Sequence, residues 1–392
     1  MPERFPKAQI DLQDLAIHEG APVLLRRSLA GLAVGELLEV RADSLELAEA
    51  LAAWCRKEGH RYAGTTGSHS YRIEKGAGPA SVVATGREAA ESANASWGLA
   101  PRGGQIEQGG PKFAFTLCQK REVWAQELES IYKQGVANQW SAARDIPWDK
   151  LPILPCEVEA AVGQIMTFLT ENEFAALYVP ARFIPRIHPH YREVVEVLAI
   201  QVVDEARHAE AFTRRAEAGG IGLGTTAVSG QLSLQTLLEE PDFTTAAFLL
   251  CVMGEGTFLT LLKFLEEHAP DPVTAMLAKL AHRDEARHVA FGMEHLRYVL
   301  EREPERRASL AAAVERRSRM LASVSGLSPY VSDALMILAG GGISPQEVRT
   351  GTQRVASLHR EMENARRERL ASLGFDSTQA TRLSAYHTKN FM

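Results

Sequence analysis

The pentapeptide Asp-Glu-Ala-Arg-His occurs twice in this chain, at Asp204–His208 and again at Asp284–His288, 80 residues later. Both copies fall in stretches whose apolar residues recur with helical spacing, predicted as helices at 190–217 and 271–301. On an α-helix, positions i and i+3 lie about 60° apart around the axis and ~4.5 Å apart along it. Glu205 with His208, and Glu285 with His288, therefore each project one carboxylate and one imidazole from one helix face. A surface Glu–His pair at this spacing is common and does nothing. Two identical copies on two helices supply four of the six ligands of a carboxylate-bridged dimetal site in a four-helix bundle. That set needs two further Glu, one from each remaining helix.

The remaining helices supply them. A predicted helix at 156–179 carries Glu171 and Glu173, and one at 241–268 carries Glu255 inside the apolar run Leu249–Leu259. A carboxylate in such surroundings is costly to bury unless something compensates its charge, and a metal would do so. Glu173 lies 32 residues before Glu205, and Glu255 lies 30 before Glu285, so the two halves match. Glu173 also shares a face with Met166, Leu169 and Ala176, which favours it over the alternative Glu171. The predicted metal ligands are Glu173, Glu205, His208, Glu255, Glu285 and His288. Four carboxylates and two imidazoles suit iron or manganese, so the expected cofactor is two Fe ions or an Mn/Fe pair. Zinc, which usually takes four ligands, would leave this set in excess. A ligating His usually donates its other N–H to a carboxylate. Asp204 and Asp284 are each placed to orient the His of the other half, with Arg207 and Arg287 paired to those aspartates.

The rest of the chain divides by texture. Residues 8–75 alternate short strands (Ile10–Leu12, Leu37–Val40, Arg61–Ala63, Tyr71–Ile73) with helical segments at Leu24–Leu32 and Leu45–Cys55. The second segment has Leu45, Ala48, Leu51 and Ala52 on one stripe. Residues 76–111 hold eight glycines with Pro79, Pro101 and Pro111, and read as a linker. Further helices are predicted at 113–140, 304–324 and 344–373, with prolines between them. The expected fold is a small α/β domain (1–75), the linker, an all-α four-helix bundle (112–301), and a helical extension (302–392). The amphipathic stripe Leu310, Val314, Met320, Leu321 in that extension predicts bundle packing or a homodimer face.

Composition narrows the function classes. Lys and Arg total 43 against 49 Asp and Glu, a net charge of −6 with no basic block, so capture of nucleic acid is not expected. Apolar runs such as Phe248–Val252 stop short of the ~20 residues of a membrane helix. Met1–Ile10 has no apolar signal core. Cys55, Cys118, Cys156 and Cys251 lie far apart and form no Cys-x-x-Cys, which fits reduced thiols in a cytoplasmic protein.

Residues 113–301 resemble the ferritin-like non-haem diiron oxygenases and oxidases. That superfamily includes the arylamine N-oxygenases, the acyl-carrier-protein desaturases, the ribonucleotide reductase small subunit and the ligand-binding oxidases related to it. The resemblance rests on Glu173…Glu205-x-x-His208 and Glu255…Glu285-x-x-His288. Gln139–Asp149 also looks like the tryptophan-rich turn leading into the bundle in some of these oxygenases. It implies an oxidoreductase, a monooxygenase or oxidase, that activates O2 as co-substrate against a small organic substrate. Electrons would come from a reductase or ferredoxin. Tyr178, about one turn beyond Glu173, is expected to pack, line the pocket or pass electrons. The arylamine N-oxygenases add a His one turn before the last Glu; here that position is Ala281, and His282 is one residue off register. The resemblance leaves hydroxylation, desaturation, N-oxygenation and C–C cleavage open. An iron-oxidising, ferritin-like protein without an organic substrate is the alternative reading.

Residues 8–75 resemble the small sulfur-carrier proteins of the TusA/SirA type, on Ile10–Leu12, Leu25–Leu32, Gly35–Val40 and Ala53–His60. The family's working Cys stands in a Cys-Pro-x-Pro turn. This chain has His18-Glu19-Gly20-Ala21 there, so sulfur relay by that residue is excluded and a docking, regulatory or packing role is implied.

Overall fold

A computed structural model describes residues 5–43, 47–78, 82–107, 110–323 and 326–387. The chain folds as two units, Met1–Arg87 with Gly103–Lys112, and Glu88–Arg102 with Phe113–Met392.

The smaller unit contains β1 (Ala8–Asp11), α1 (Ala21–Ala30), β2 (Leu37–Arg41), α2 (Leu47–Lys57), β3 (Arg61–Gly67) and β4 (Ser70–Glu74). The sheet runs β1-β2-β4-β3, with β1 parallel to β2 and the other pairs antiparallel. Period-2 alternation turns Tyr71 and Ile73 of β4 inward. They meet Leu25 and Leu29 of α1 and Leu47, Leu51 and Cys55 of α2 in a closed core. α1 starts earlier than its predicted Leu24, because Pro22 fits the first helical turn, where its missing N–H costs nothing. Leu45 and the side chain of Ala48 lie outside the described residues. Within 76–111 the chain forms an antiparallel ribbon, β5 (Val82–Ala84) with β6 (Gln105–Glu107).

The larger unit is helical. The single helix predicted over 113–140 is replaced by two short ones, α3 (Lys120–Val123) and α4 (Leu128–Ala137). Residues 116 and 117 are extended instead, and their N–H groups bond to the Arg186 carbonyl. The chain breaks again at Trp124, whose backbone is extended. Two long antiparallel pairs then build the bundle. α5 (Cys156–Phe183) lies along α6 (Arg192–Ala218). α8 (Phe243–Ala247), a π-helical segment (Phe248–Glu255) and α9 (Gly256–Glu267) form one rod along α10 (Pro272–Arg302). The two pairs together form a four-helix bundle. The rod Phe243–Glu267 is long and apolar enough to cross a membrane, and most of it is buried inside the bundle.

Three helices have no counterpart among the predicted ones: α7 (Val228–Leu238), α12 (Pro329–Gly340) and α14 (Ser377–His387). With them, α11 (Arg306–Met320) and α13 (Pro345–Ser372) complete the unit. Leu310, Val314 and Leu321 of the predicted stripe are buried and Met320 is exposed. One core runs through bundle and extension together.

Candidate metal centre

Each of the four rods delivers its Glu to one place. Glu173 comes from α5, Glu205 and His208 from α6, Glu255 from the end of the π segment, and Glu285 and His288 from α10. All six are buried. Their donor atoms fall into two groups, each spanning no more than 4.8 Å: Glu173, Glu205, His208 and Glu285, and then Glu205, Glu255, Glu285 and His288. Glu205 and Glu285 belong to both, the placement a bridging carboxylate needs. His208 Nδ1 lies 3.4 Å from Glu173, 3.1 Å from Glu205 and 3.5 Å from Glu285. His288 Nδ1 lies 3.0 Å from Glu205 and 3.3 Å from Glu285.

Behind the imidazoles the two halves cross over. His208 Nε2 faces Asp284 Oδ2 at 3.2 Å, and His288 Nε2 faces Asp204 Oδ2 at 3.3 Å. Each Asp thus orients the His of the other helix, as the repeat predicts. With Nε2 donating to the aspartate, Nδ1 is the nitrogen turned to the carboxylates. Arg207 donates to Asp204 and Asp284 at 2.5 and 2.7 Å. Arg287 donates to the same two at 3.0 and 2.8 Å. The two aspartate charges are therefore matched by two guanidinium charges. Gln139 Nε2 donates to Asp204 at 2.9 Å and Trp140 Nε1 to Asp284 at 2.6 Å. Trp140 also stacks near His208, with Arg207 over its ring. The Gln139–Trp140 turn carries that motif but gave no hint from spacing that it would buttress the aspartates.

The inner cluster lacks such a match. Burial, then the Glu205 charge, pushes Glu173 well above the usual carboxylate range. Burial and the Glu285 charge do the same to Glu255. Burial opposes the charge on Glu205 too, but His288 and His208 together hold it below the ordinary value. Burial would lower both imidazoles, yet the surrounding carboxylates raise them well above it. Glu173 Oε1 and Glu255 Oε2 are buried with no hydrogen-bond partner. Buried orphan oxygens are costly, and protons crowd a cluster that two divalent cations would neutralise: four carboxylates carry the opposite charge. The residues present fit a dimetal group.

One asymmetry breaks the repeat. Gln201, one turn before Glu205, donates to Glu255 Oε1 at 2.9 Å. Its equivalent in the second half is Ala281. Cys251, one turn before Glu255, also contacts that carboxylate, and burial with the Glu255 charge keeps its thiol protonated. Gln201 and Cys251 are the polar lining of a narrow cavity otherwise made by residues such as Val179, Phe183, Leu198, Leu250 and Phe291. Its volume is only about 10 Å³. Sequence spacing gave no signal for Gln201 or for this cavity.

Other expected residues lie elsewhere. Glu171 hydrogen-bonds the Thr226 hydroxyl, away from the cluster. Tyr178 is 56% exposed and stacks on Phe174 on the outer face of α5, so it lines no buried pocket. It lies five residues beyond Glu173, which turns it away from the inward face. The four cysteines are unpaired.

No protein-family model matches the chain, and no curated protein matches it. Among solved structures it is similar to a Synechococcus protein with aldehyde deformylating oxidase activity (17% identity, 59% of this chain and 98% of that one, TM-score 0.44). It is also similar to an R2-like ligand-binding oxidase from Sulfolobus acidocaldarius (18% identity, 66% and 94%, TM-score 0.40). A variant R2-like ligand-binding oxidase with an Mn/Fe cofactor aligns at 16% identity (68% and 92%, TM-score 0.42). The reading of the centre rests on the side chains described above.

Proposed function

We propose that this chain is an O2-activating non-haem dimetal oxidoreductase, an oxygenase or oxidase of a small organic substrate. The observation that carries the reading is the convergence of two Glu-x-x-His pairs and two further Glu on one buried spot, with an arginine-paired Asp behind each His. Glu173 and His208 would hold one ion, Glu255 and His288 the other, and Glu205 and Glu285 would be shared. The ions, two Fe or Mn with Fe, supply the one-electron redox chemistry that reaction with O2 requires.

The chain's own residues do the rest. Asp204 and Asp284 fix each imidazole's tautomer and direction. The apolar packing of the π segment and α10 keeps water from the carboxylates, which strengthens every charge interaction there. The narrow cavity lined by Gln201 and Cys251, which both touch Glu255, marks the apolar side from which a substrate would approach it. An external reductase or ferredoxin would deliver electrons. The smaller unit, with His18–Ala21 where a sulfur carrier has its nucleophile, would serve as a docking module.

The test is elemental analysis of wild type beside the Glu205→Ala/Glu285→Ala double variant. The expected result is close to two Fe or Mn per wild-type chain, a large loss in the variant, and O2 consumption stimulated by an organic substrate. Wild type without metal after anaerobic Fe(II) loading would overturn the proposal. Metal uptake with O2 consumption that no organic compound stimulates would support iron oxidation instead.

A further inference from the structure

We infer that Arg369, on a helix outside the four-helix bundle, is a positioning residue for Glu255; this rests on the dimetal reading above. Glu255 reaches the cluster through an unusual stretch of backbone. The Gly256 N–H bonds to the Cys251 carbonyl, five residues back, in π register. A π turn holds one residue more than an α turn, and so displaces the carbonyls around it from their α-helical partners. It also sets direction. Each residue turns an α-helix by about 100°, so relaxing the extra residue would swing Glu255 by about that angle relative to α8.

α13 holds this turn from outside. Arg369 Nε donates to the Val252 carbonyl, within the π segment, at 3.0 Å. One turn earlier, Arg366 Nη1 donates to Thr257 Oγ1 at 3.0 Å, and that hydroxyl donates to the Met253 carbonyl at 2.6 Å. Arg369 thus grips the backbone before Glu255 directly, and Arg366 grips it through the Thr257 hydroxyl. Gly256 makes room for the nearer one. A Cβ built there would stand 2.5 Å from Arg369 Nε and 2.6 Å from Cζ. Gly256 has ordinary helical backbone angles, so the need for glycine is space and not conformation. Arg369 makes this contact while its Nη2 stays buried without an acceptor, a cost a merely space-filling side chain would not carry. Gln201 fixes the carboxylate of Glu255, and Arg369 fixes the backbone that presents it. Neither hold has a counterpart at Glu173, on regular α5.

Mn(II) alone is the probe, titrated anaerobically and read by electron paramagnetic resonance, with circular dichroism to check folding. Wild type should bind two Mn(II) per chain and give the spectrum of a coupled pair. Arg369→Ala should keep the ion at Glu173 and His208 but weaken the other by about 10-fold or more, so the isolated-ion spectrum replaces the coupled one. Gly256→Ala, which crowds the guanidinium without removing it, should act in the same direction. Arg369→Lys, which keeps one donor, should restore the coupled spectrum. Arg354→Ala removes a side-chain bond from the same helix to the Ala339 carbonyl, away from the π segment, and should leave both ions in place. Amide hydrogen exchange on the metal-free protein gives a second readout: exchange around 251–257 should quicken in Arg369→Ala and not in Arg354→Ala. A folded Arg369→Ala that binds two Mn(II) with the wild-type spectrum overturns the inference and leaves the dimetal reading intact. So does equal loss in Arg354→Ala. Wild type that takes up no Mn(II) overturns both.

Discussion

At the scale of single residues, Asp284 gathers four hydrogen-bonding side chains. It receives His208, Arg207, Arg287 and Trp140. Burial would raise its carboxyl, but the His208 bond and the nearby cations hold it far below the usual range. Asp284→Asn keeps the shape and removes the charge, so metal affinity should fall about 10–100-fold; an Mn(II) titration equal to wild type would refute this. His295 gives a pH prediction. It is fully buried between the Thr244 hydroxyl and the Trp124 carbonyl, and burial pushes its pKa down to about 4. The unfolded chain takes up that proton near pH 6.5. The contribution of His295 to stability is therefore intact above about 6.5 and declines as pH falls toward 4, by roughly 1.4 kcal/mol per unit. His295→Gln should lower the pH slope of the urea midpoint between pH 4.5 and 6.5, and an unchanged slope would count against the assignment. The convergence of the inner Glu and His side chains and the crossed aspartates was legible because helical spacing fixes direction within one helix and the repeat pairs two helices. Gln201 was not, because its partner Glu255 comes from another helix, and only tertiary packing decides that contact.

At the scale of elements, the long bundle helices were readable, whereas α7, α12 and α14 and the points where helices are interrupted were not. The span 241–268 has one continuous apolar texture, and nothing in it marks where an extra residue enters the turn. The segment 113–140 misled in the opposite way, since its apolar residues serve extended backbone bonded to the Arg186 carbonyl. Close approach of helices is also invisible in a pattern of apolar residues. A Cβ at Gly292, on α10, would lie 2.5 Å from Cys251 Cβ on the π segment. Gly292→Ala should therefore cost about 1–3 kcal/mol through overpacking, although alanine is the better helix former. A urea midpoint at or above wild type would show that the two rods separate easily.

At the scale of the whole molecule, two units with separate cores should melt separately. Calorimetry should show two transitions, and Mn(II) at about 100 times its dissociation constant should stabilise only the helical one, by about 2.7 kcal/mol. A single transition shifted as a whole would contradict this. The chain passes between the units three times, after Arg87, after Arg102 and before Phe113. That path bears on how the protein can come apart. A protease that cuts at either of the first two crossings divides β5 from β6, whose pairing still clasps the fragments. A cut at the third leaves residues 88–102 on the shorter fragment, moored to the bundle by the Ala90 N–H on His190 and by the Tyr191 hydroxyl on the Ala90 carbonyl. No single nick frees either unit, and a cleaved preparation would run as one particle until it is denatured.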